Sequence, residues 1–395
     1  MAKTPLFTFI TDCLQSTARI DDDPQRLTRR ELLQRSVTAG LALAYAPVFI
    51  NLARADSPLS RPRLRTDDPV TILGGGVAGL TAAYRLAQAG IACEIFEASS
   101  RFGGRMYTER NFNTDGMFCE RGGELIDHSH QDLVSLCKEL GLEIETIQET
   151  IPGIQEELFF ISGKFRTRDE LKRAFKPLAK RIREAHREIF GQHAVESPTY
   201  LNPFNAARYD RMSIEQFLDS LKNDVDSWVL SLIRVAYVGE MGLEAGEQSA
   251  LNLLLLISAD ENIPAVLGDS DQSNRIKGGS GSLPDRLVEQ IKPVVPLQAG
   301  KQLIKIKDTG SQFKLTFLEA GKTTELSATQ IICTLPFSVL RTIEGVRELG
   351  LSPVKQRCIS ELGYGTNSKF MMGFKSKFWR AESLARAPSN GLIYS

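Results

Sequence analysis

The pattern of apolar positions is most regular between residues 70 and 105. Val70–Leu73 is a short run typical of a buried strand. Beyond it, apolar residues recur at helical spacing from Ala78 to Ala87, and Gly90 follows where such a helix would end. Cys93–Phe96 predicts the next strand. The pattern therefore predicts a strand–helix–strand unit of a parallel sheet.

The turn between the first strand and the helix contains the spacing Gly74-x-Gly76-x-x-Gly79. In dinucleotide-binding proteins the first glycine allows a tight turn, the second lets a pyrophosphate approach the backbone, and the third lets the helix pack on the strand. Backbone N–H groups at the helix start, including those of Val77 and Ala78, would face the phosphates. The turn therefore predicts a nucleotide site, whereas a glycine turn in an ordinary α/β domain is the alternative.

The residues after the second strand distinguish between nucleotides. Glu97, with Ala98 beside it, closes that strand about 20 residues after the glycines, where an acidic side chain meets a ribose hydroxyl. Both are candidate cofactor-binding residues. An R-x-G-G-R run follows directly, and it consists of Arg101, Gly103, Gly104 and Arg105.

The glycine turn and the R-x-G-G-R run together resemble the flavin amine oxidase superfamily, which includes monoamine oxidases, polyamine oxidases and L-amino acid oxidases. The resemblance implies FAD as the cofactor, with the second glycine pair and its arginine holding the pyrophosphate from the other side. NAD dehydrogenases have no reason to place such a run there. The two motifs therefore favour FAD over NAD.

An E-x-G-G run at residues 120–123 also resembles the family, and it implies that the backbone here passes the flavin ring. The candidate residues are Gly122, Gly123, Glu124 and Leu125. Residues 275–284 resemble an I-x-G-G run followed by a helix. The resemblance further implies that adenine rests against the strand that begins at Leu303. Taken alone, these glycine runs would be ordinary turns.

Two later stretches complete the resemblance. Residues 331–336 resemble a strand that ends in T-x-P and closes the nucleotide domain. Gly363–Phe370, followed by Phe378-Trp379, resembles the stretch whose lysine holds a water against flavin N5. This implies a catalytic role for Lys369, whereas a surface lysine on a strand is the alternative.

Hydrophobic periodicity predicts further elements across the chain. The predicted helices are Gln131–Leu140, Arg168–Phe190, Ser213–Lys222, Ser227–Tyr237, Ser249–Ile257 and Pro284–Ile291. A strand pair is predicted within Phe159–Phe165, and single strands at Leu303–Ile306 and Phe313–Phe317. The expected fold is α/β: a Rossmann-like, glutathione-reductase-like FAD-binding domain with a discontinuous α+β substrate domain.

This reading divides the chain into consecutive parts. They are a signal peptide (1–55), a linker (56–68), a first FAD-binding part (69–150), a mainly helical substrate domain (151–270), a second FAD-binding part (271–345) and substrate-domain strands (346–395). The resemblance runs from residue 70 to residue 379, and family members continue further. We therefore expect an incomplete last part, with a second chain as one possible source of the remaining segment.

The N-terminal residues match a twin-arginine export signal. Thr28–Leu33 carries the arginine pair, an apolar run follows over 37–52, and Ala53-Arg54-Ala55 offers a cleavage site near Ala55. The run is too short and broken for a stable membrane span, which needs about 20 apolar residues. A chance arginine pair in an amphipathic helix is the alternative.

Composition excludes some classes of function. The chain of 395 residues has 48 basic and 48 acidic side chains, so net charge gives no reason to expect nucleic acid. Its six cysteines form no C-x-x-C pair. His128 and His130 lie close together without further ligands, so no metal site is expected.

The favoured function is FAD-dependent oxidation of an amine to an imine, with O2 reduced to hydrogen peroxide. L-amino acid oxidases place a carboxylate-binding arginine where this chain has Leu125. The nearby acids Glu124 and Asp127 suit an ammonium better, so an amine or polyamine is preferred and an amino acid stays open. The alternatives are a flavoprotein related to carotenoid desaturases or protoporphyrinogen oxidases, and a non-catalytic FAD-binding subunit.

Overall fold

The computed structural model describes residues 65–113, 116–147, 151–154, 158–161, 163–191, 198–199, 202–256, 272–381, 388–389 and 393–394. The predicted export signal and most of the predicted linker lie outside these residues, so both stay predictions. No helix in the described ranges is both long and apolar enough to cross a membrane.

The chain forms fourteen strands and ten α-helices within the described ranges. The strands are β1 (Arg65–Leu73), β2 (Ile91–Phe96), β3 (Thr108–Glu109), β4 (Cys119–Glu120), β5 (Ile144–Thr146), β6 (Leu158–Ile161), β7 (Lys164–Arg166), β8 (Asn274–Ile276), β9 (Leu297–Gln298), β10 (Gln302–Asp308), β11 (Phe313–Glu319), β12 (Lys322–Ala328), β13 (Ile331–Cys333) and β14 (Ile393–Tyr394). The helices are α1 (Val77–Gln88), α2 (Gln131–Glu139), α3 (Arg168–Phe190), α4 (Ala207–Asp210), α5 (Ile214–Asp219), α6 (Ser227–Met241), α7 (Ala250–Leu256), α8 (Ser282–Ile291), α9 (Phe337–Leu340) and α10 (Pro353–Glu361).

A parallel sheet in the order β13-β1-β2-β9 is the framework of the first domain. Ile72 pairs with Ile95 of β2 and Ile332 of β13, and the Ile72 and Ile95 side chains are fully buried. The sequence predicted this strand–helix–strand unit, including the helix end before Gly90, where φ is 70°. The strand β1 begins earlier than predicted, at Arg65.

The two faces of the parallel sheet are covered by different layers. One core cluster joins the sheet to α1, α2 and α8, and α8 packs directly against α1. The antiparallel sheet β10-β11-β12 covers the other face, where Leu73 and Phe96 join its core and Phe96 stacks on Phe317 at 4.5 Å. This three-layer arrangement agrees with the expected Rossmann-like α/β domain.

The residues 168–256 form a separate unit with its own core, which we call the helical block. Its longest helix, α3, begins with a capping box in which Thr167 and Glu170 bond each other's backbone N–H groups. Leu171, Phe175 and Leu178 of this helix are fully buried. Their spacing places them on one face, because helical residues three and four apart are neighbours.

The helical block leaves and rejoins the first domain at one place. The strand β5 precedes the block and β8 follows it, and the two pair antiparallel with Glu145 opposite Arg275. These two side chains form an ion pair at 2.6 Å. The block is therefore an insertion between two parts of the first domain, although the boundaries drawn from the sequence stay predictions.

Several predicted elements differ from the structure in detail. The helix predicted over Ser213–Lys222 is only Ile214–Asp219, and the helix predicted from Pro284 begins at Ser282. The strand β12 was not predicted, because its sequence KTTELSA is mostly polar. The region 346–381 holds α10 and a 3₁₀ turn at Phe378–Arg380 rather than strands. Residues 363–377 form no helix or strand, and residues 375 and 376 form a bend.

Candidate functional site

The glycine turn after β1 is shaped by close backbone approaches. Gly74 has a φ of 105°, and its N–H donates to the Phe96 carbonyl at 2.8 Å. A Cβ on Gly79 would lie well under 3.0 Å from the Gly74 carbonyl oxygen. Only glycine therefore fits at residue 79, as expected for a helix that packs tightly on its strand.

Gly76 differs because protein packing leaves space beside it. A Cβ there would meet only the Gly104 Cα, at 3.8 Å. Gly76 is the N-cap of α1 and has no side-chain cap, and Val77 is half-buried and Ala78 exposed. Helix-start N–H groups without intrahelical partners attract anions. The opening beside Gly76 therefore suits a pyrophosphate.

Glu97 organises the same turn. One of its carboxylate oxygens accepts the Gly75 N–H at 2.7 Å, and the other accepts the N–H and hydroxyl of Ser99 at 2.8 and 2.9 Å. Sequence reasoning assigned Glu97 only to a ribose and did not foresee this contact with the glycine turn. Four lone-pair positions on a carboxylate leave capacity for a ligand hydroxyl as well. Ala98 beside it is exposed.

The R-x-G-G-R run lies directly against the glycine turn. The Gly103 N–H donates to the Gly75 carbonyl at 2.8 Å, and Gly103 forms a parallel bridge with Gly76. Gly103 and Gly104 have φ values of 109° and 56°, which favour glycine. A Cβ on Gly104 would lie 3.0 Å from the Gly76 Cα. The two predicted motifs thus form one continuous backbone surface.

An open cleft of about 780 Å³ begins at this surface. Its lining consists of Arg101, Gly104, Arg105, Tyr107, Arg121, Gly122 and Gly123. The Arg101 and Arg121 guanidinium groups lie over the Tyr107 ring, at 4.4 and 5.1 Å from its centroid. Tyr107 and Arg121 were not predicted as site residues. Their positions next to the two glycine runs are the only sequence signal for them.

The E-x-G-G run is held beside the second glycine run. The Gly123 N–H donates to the Arg105 carbonyl at 2.9 Å, and a Cβ on Gly122 would collide with that same oxygen. The buried Glu120 carboxylate accepts bonds from the Thr108 hydroxyl and from the N–H and hydroxyl of Ser280. These contacts join the E-x-G-G run to the residues that precede α8. We call residues 74–79, 97–105 and 120–125 the cofactor cradle.

Lys369 reaches the cofactor cradle. Its ammonium lies 2.5 Å from a Glu124 carboxylate oxygen. The structure therefore brings together two candidate residues that the resemblance placed at the flavin ring. Leu125, the next residue, is half-buried.

Asp127 has a different environment from the one that sequence reasoning gave it. It is 4% exposed, accepts the Gln272 N–H at 2.7 Å and lies 3.5 Å from the His130 ring. Glu124 is paired with Lys369. Neither acid is therefore an unpaired charge available to a substrate ammonium, because both carboxylates already have partners.

Leu303 is 8% exposed and belongs to the core beneath the antiparallel sheet. The chain just before it passes Glu97, whose carbonyl accepts the Lys301 N–H at 2.9 Å. The backbone that leads into β10 therefore lies next to the candidate ribose site, which is consistent with adenine binding there.

The described residues contain no His, Cys, Asp or Glu group able to hold a metal ion. Among the cysteines in those ranges, Cys93 and Cys137 are buried, and burial raises the pKa of each thiol to about 11. Cys119 and Cys358 are half-buried, and Cys333 is exposed.

Comparison with known proteins identifies the family. The sequence model described as flavin containing amine oxidoreductase matches residues 77–393. The chain belongs to this family. The match begins one residue after Gly76. It includes the R-x-G-G-R and E-x-G-G runs of the cofactor cradle, the helical block and the segment of Lys369.

Curated relatives are similar to the chain at low identity. They include a flavin-dependent L-tryptophan oxidase from Lentzea aerocolonigenes (25% identity over 82% of this chain and 69% of that protein), an L-amino-acid oxidase from Pseudechis australis (26%, 81% and 60%) and amine oxidase B from Mus musculus (25%, 79% and 58%). The chain thus spans 58–69% of the length of these relatives.

Solved structures support the fold. A putrescine oxidase bound to putrescine aligns with a TM-score of 0.56 at 22% identity, over 75% of this chain and 64% of that one. A cyclohexylamine oxidase from Brevibacterium oxydans aligns with a TM-score of 0.57 at 21% identity, over 74% and 63%.

Family membership implies FAD as the cofactor, and the residues of the cofactor cradle fit it. The glycines at 79 and 122 are required by backbone contacts, whereas the space beside Gly76 is open toward the helix start. The arginines of the cleft add positive charge next to this opening. The cradle therefore has the shape and charge that a dinucleotide pyrophosphate needs.

Proposed function

We propose that the chain oxidises the CH–NH bond of a primary or secondary amine, or of an amino acid, to an imine, with O2 reduced to hydrogen peroxide. The observation that carries this proposal is the pairing of the two glycine runs across the start of α1, in a chain of the flavin-containing amine oxidoreductase family. Amine and amino-acid oxidases among the relatives and structural neighbours support it.

The protein's own part in this chemistry is binding and orientation. The chemistry that bound FAD supplies is acceptance of a hydride from the carbon beside the amine nitrogen. Residues at the start of α1 would hold the pyrophosphate, and Glu97 would hold the ribose while it keeps the glycine turn in shape. The resemblance implies that Glu124 and Lys369 would lie at the reacting end of the cofactor.

The substrate class is proposed as an amine, with an amino acid as the second candidate. Leu125 lacks the guanidinium that L-amino acid oxidases present to a carboxylate, and this favours an amine. The argument from acidic side chains is weaker than the sequence suggested, because Asp127 is buried and Glu124 is paired. Relatives that oxidise amino acids support the second candidate.

Purification of the full chain and a peroxide assay test the proposal. We expect flavin absorbance and hydrogen peroxide release with at least one member of a panel of monoamines, diamines and L-amino acids. Catalase, which removes the signal, is the control for peroxide. Bound flavin without peroxide from any member would favour the non-catalytic subunit or the desaturase-like alternative, and absence of flavin would reject the proposal.

We also propose export by the twin-arginine route, on the sequence of residues 28–55 alone. Substitution of both Arg29 and Arg30 by lysine keeps the charge but removes the pair that the export receptor reads. The double variant should remain as an unprocessed precursor in cell fractionation. The single change Arg19→Lys, outside both the arginine pair and the cleavage site, is the control. Normal processing of the double variant would contradict the proposal.

A further inference from the structure

The ion pair between Lys369 and Glu124 joins two parts of the chain that are far apart in sequence. The residues are separated by 245 positions, and the ammonium and carboxylate lie 2.5 Å apart. Their side chains are 46% and 41% exposed, so a ligand can still reach both. The pair therefore lies at an accessible surface of the cofactor cradle.

The Glu124 end of this pair has a fixed position. Glu124 directly follows Gly123, whose N–H is bound by the Arg105 carbonyl, and Gly122 packs against the same oxygen. The backbone that carries the carboxylate is thus part of the cradle itself. These contacts hold the backbone next to Glu124 against the R-x-G-G-R run.

The Lys369 end is attached to the helical block. Thr366 donates its backbone N–H to the Gly242 carbonyl at 2.9 Å, and the Asn367 side chain donates to the Gly239 carbonyl at 2.6 Å. Gly365 lies so close to the Met241 carbonyl that a Cβ would collide with it. The segment of Lys369 is therefore bound to the C-terminal end of α6.

We propose that Glu124 is a positioning residue that holds the Lys369 ammonium at the reacting end of the cofactor cradle. Without Glu124, the long lysine side chain would lose its one described polar partner and sample many rotamers. The pair also links the cradle to a segment that is hydrogen-bonded to the helical block. This inference rests on the proposed function, because it gives Lys369 a reaction to serve.

Chemical labelling tests the pairing without any need for activity. An amine-reactive acetylating reagent must approach the amine nitrogen, and a carboxylate that holds this nitrogen in an ion pair competes with that approach. In Glu124→Gln, we expect Lys369 to be acetylated about two- to five-fold faster, the range that an exposed ion pair supplies. Mass spectrometry of the resulting peptides measures this rate.

A matched pair elsewhere in the chain is the control. Lys277 and Glu143 form an ion pair at 2.9 Å, and neither residue belongs to the cradle. The change Glu143→Gln should accelerate acetylation of Lys277 and leave Lys369 and flavin reactions unchanged. Equal acetylation of Lys369 in the wild type and Glu124→Gln would overturn the proposal, whatever the oxidase assay shows.

Stopped-flow kinetics of the FAD-loaded protein separates positioning from stability. Glu124→Gln should slow flavin reduction or reoxidation at least about ten-fold with less than a two-fold change in KM, the pattern of an interaction at the reacting centre. The exchange Glu124→Lys with Lys369→Glu restores an ion pair, and should restore thermal stability but not the rate. Recovery of both would show a merely structural pair and overturn the proposal.

The two assays also separate this proposal from the proposed function. A wild-type chain that fails to bind flavin or release peroxide contradicts the proposed function, while labelling still decides whether Glu124 holds Lys369. A wild-type chain that releases peroxide and shows no effect of Glu124→Gln in either assay supports the function and rejects the positioning role.

Discussion

The cofactor cradle and the helical block are held together by different kinds of contact. In the cradle, backbone lies against backbone: Gly79 against the Gly74 carbonyl, and Gly122 against the Arg105 carbonyl. In the helical block, large side chains fill the core. Phe175 and Tyr237, for example, have no exposed surface. The first kind of contact constrains residue identity at single positions, and the second constrains only volume and polarity.

This difference predicts opposite tolerance to substitution. A methyl group added at Gly79 or Gly122 would collide with a backbone carbonyl oxygen. In the helical block, swaps that conserve volume typically cost less than about 1.5 kcal/mol. The separate core clusters of the two regions further predict that each can lose stability without the other.

The largest effect is expected in the helical block. Phe175→Ala removes a fully buried ring from α3 and should destabilise the block by about 3–5 kcal/mol. Urea unfolding followed by far-UV circular dichroism should show an earlier helical transition, with flavin release at an unchanged urea concentration. Phe175→Leu, which keeps most of the volume, is the control. Simultaneous loss of helix and flavin at the same lower urea concentration would show that the two regions unfold as one.

A smaller loss of stability, but a larger loss of cofactor, is expected from Gly79→Ala. The added methyl group collides with the Gly74 carbonyl oxygen and should cost about 1–3 kcal/mol of stability. It also displaces the start of α1, so flavin content after purification should fall several-fold. Full flavin content in this variant would mean that the turn adapts, and that the cradle is no stricter than the helical block.

Glu97→Ala should weaken FAD binding by roughly ten- to a hundred-fold, because charge-assisted bonds to ribose hydroxyls contribute about 1.5–3 kcal/mol. The variant also leaves the Gly75 N–H without its carboxylate partner. Titration of the apoprotein with FAD, followed by flavin fluorescence, measures the change. Glu94→Ala, on the strand that precedes Glu97, is the control. Unchanged affinity would show that Glu97 contacts no ribose.

The smallest expected effect has the opposite sign. Gly239 lies inside α6, and a Cβ there would meet nothing within 4 Å. Gly239→Ala should therefore stabilise the helical block by about 1 kcal/mol, because alanine loses less backbone entropy in a helix. Thermal or urea unfolding measures this gain. A loss of stability would imply that the Gly239 backbone, which binds Asn367, needs glycine for another reason.

Much of the cradle was predictable from sequence because each glycine has a local geometric reason. The pairing of Gly76 with Gly103 joins two motifs that are close in the chain, so both could be identified together. The contact of Glu124 with Lys369 could not, because no local pattern specifies which residues meet across 245 positions. The burial of Asp127 was missed for the same reason, since its partner Gln272 follows the helical block.

Helices of the block were predictable where apolar spacing is long and regular. The helix α3 matches its prediction at both ends, because a capping box and a glycine delimit it. Shorter helices such as α5 were predicted too long. The helix ends at Asp219, but the apolar spacing continues to Leu221. The polar edge strand β12 has no alternating pattern, and only its neighbour β11 makes it a strand.

The pairing of β1 with β13 has a consequence during synthesis on the ribosome. The Thr334 hydroxyl donates to the Gly74 carbonyl across 260 positions of sequence. At roughly 5–20 residues per second, on the order of 13–52 s pass between translation of these two residues. Until then one edge of β1 lacks its permanent neighbour, and unpaired strand edges promote aggregation. The time needed to translate the residues between Gly74 and Thr334 thus sets how long this strand edge stays unpaired.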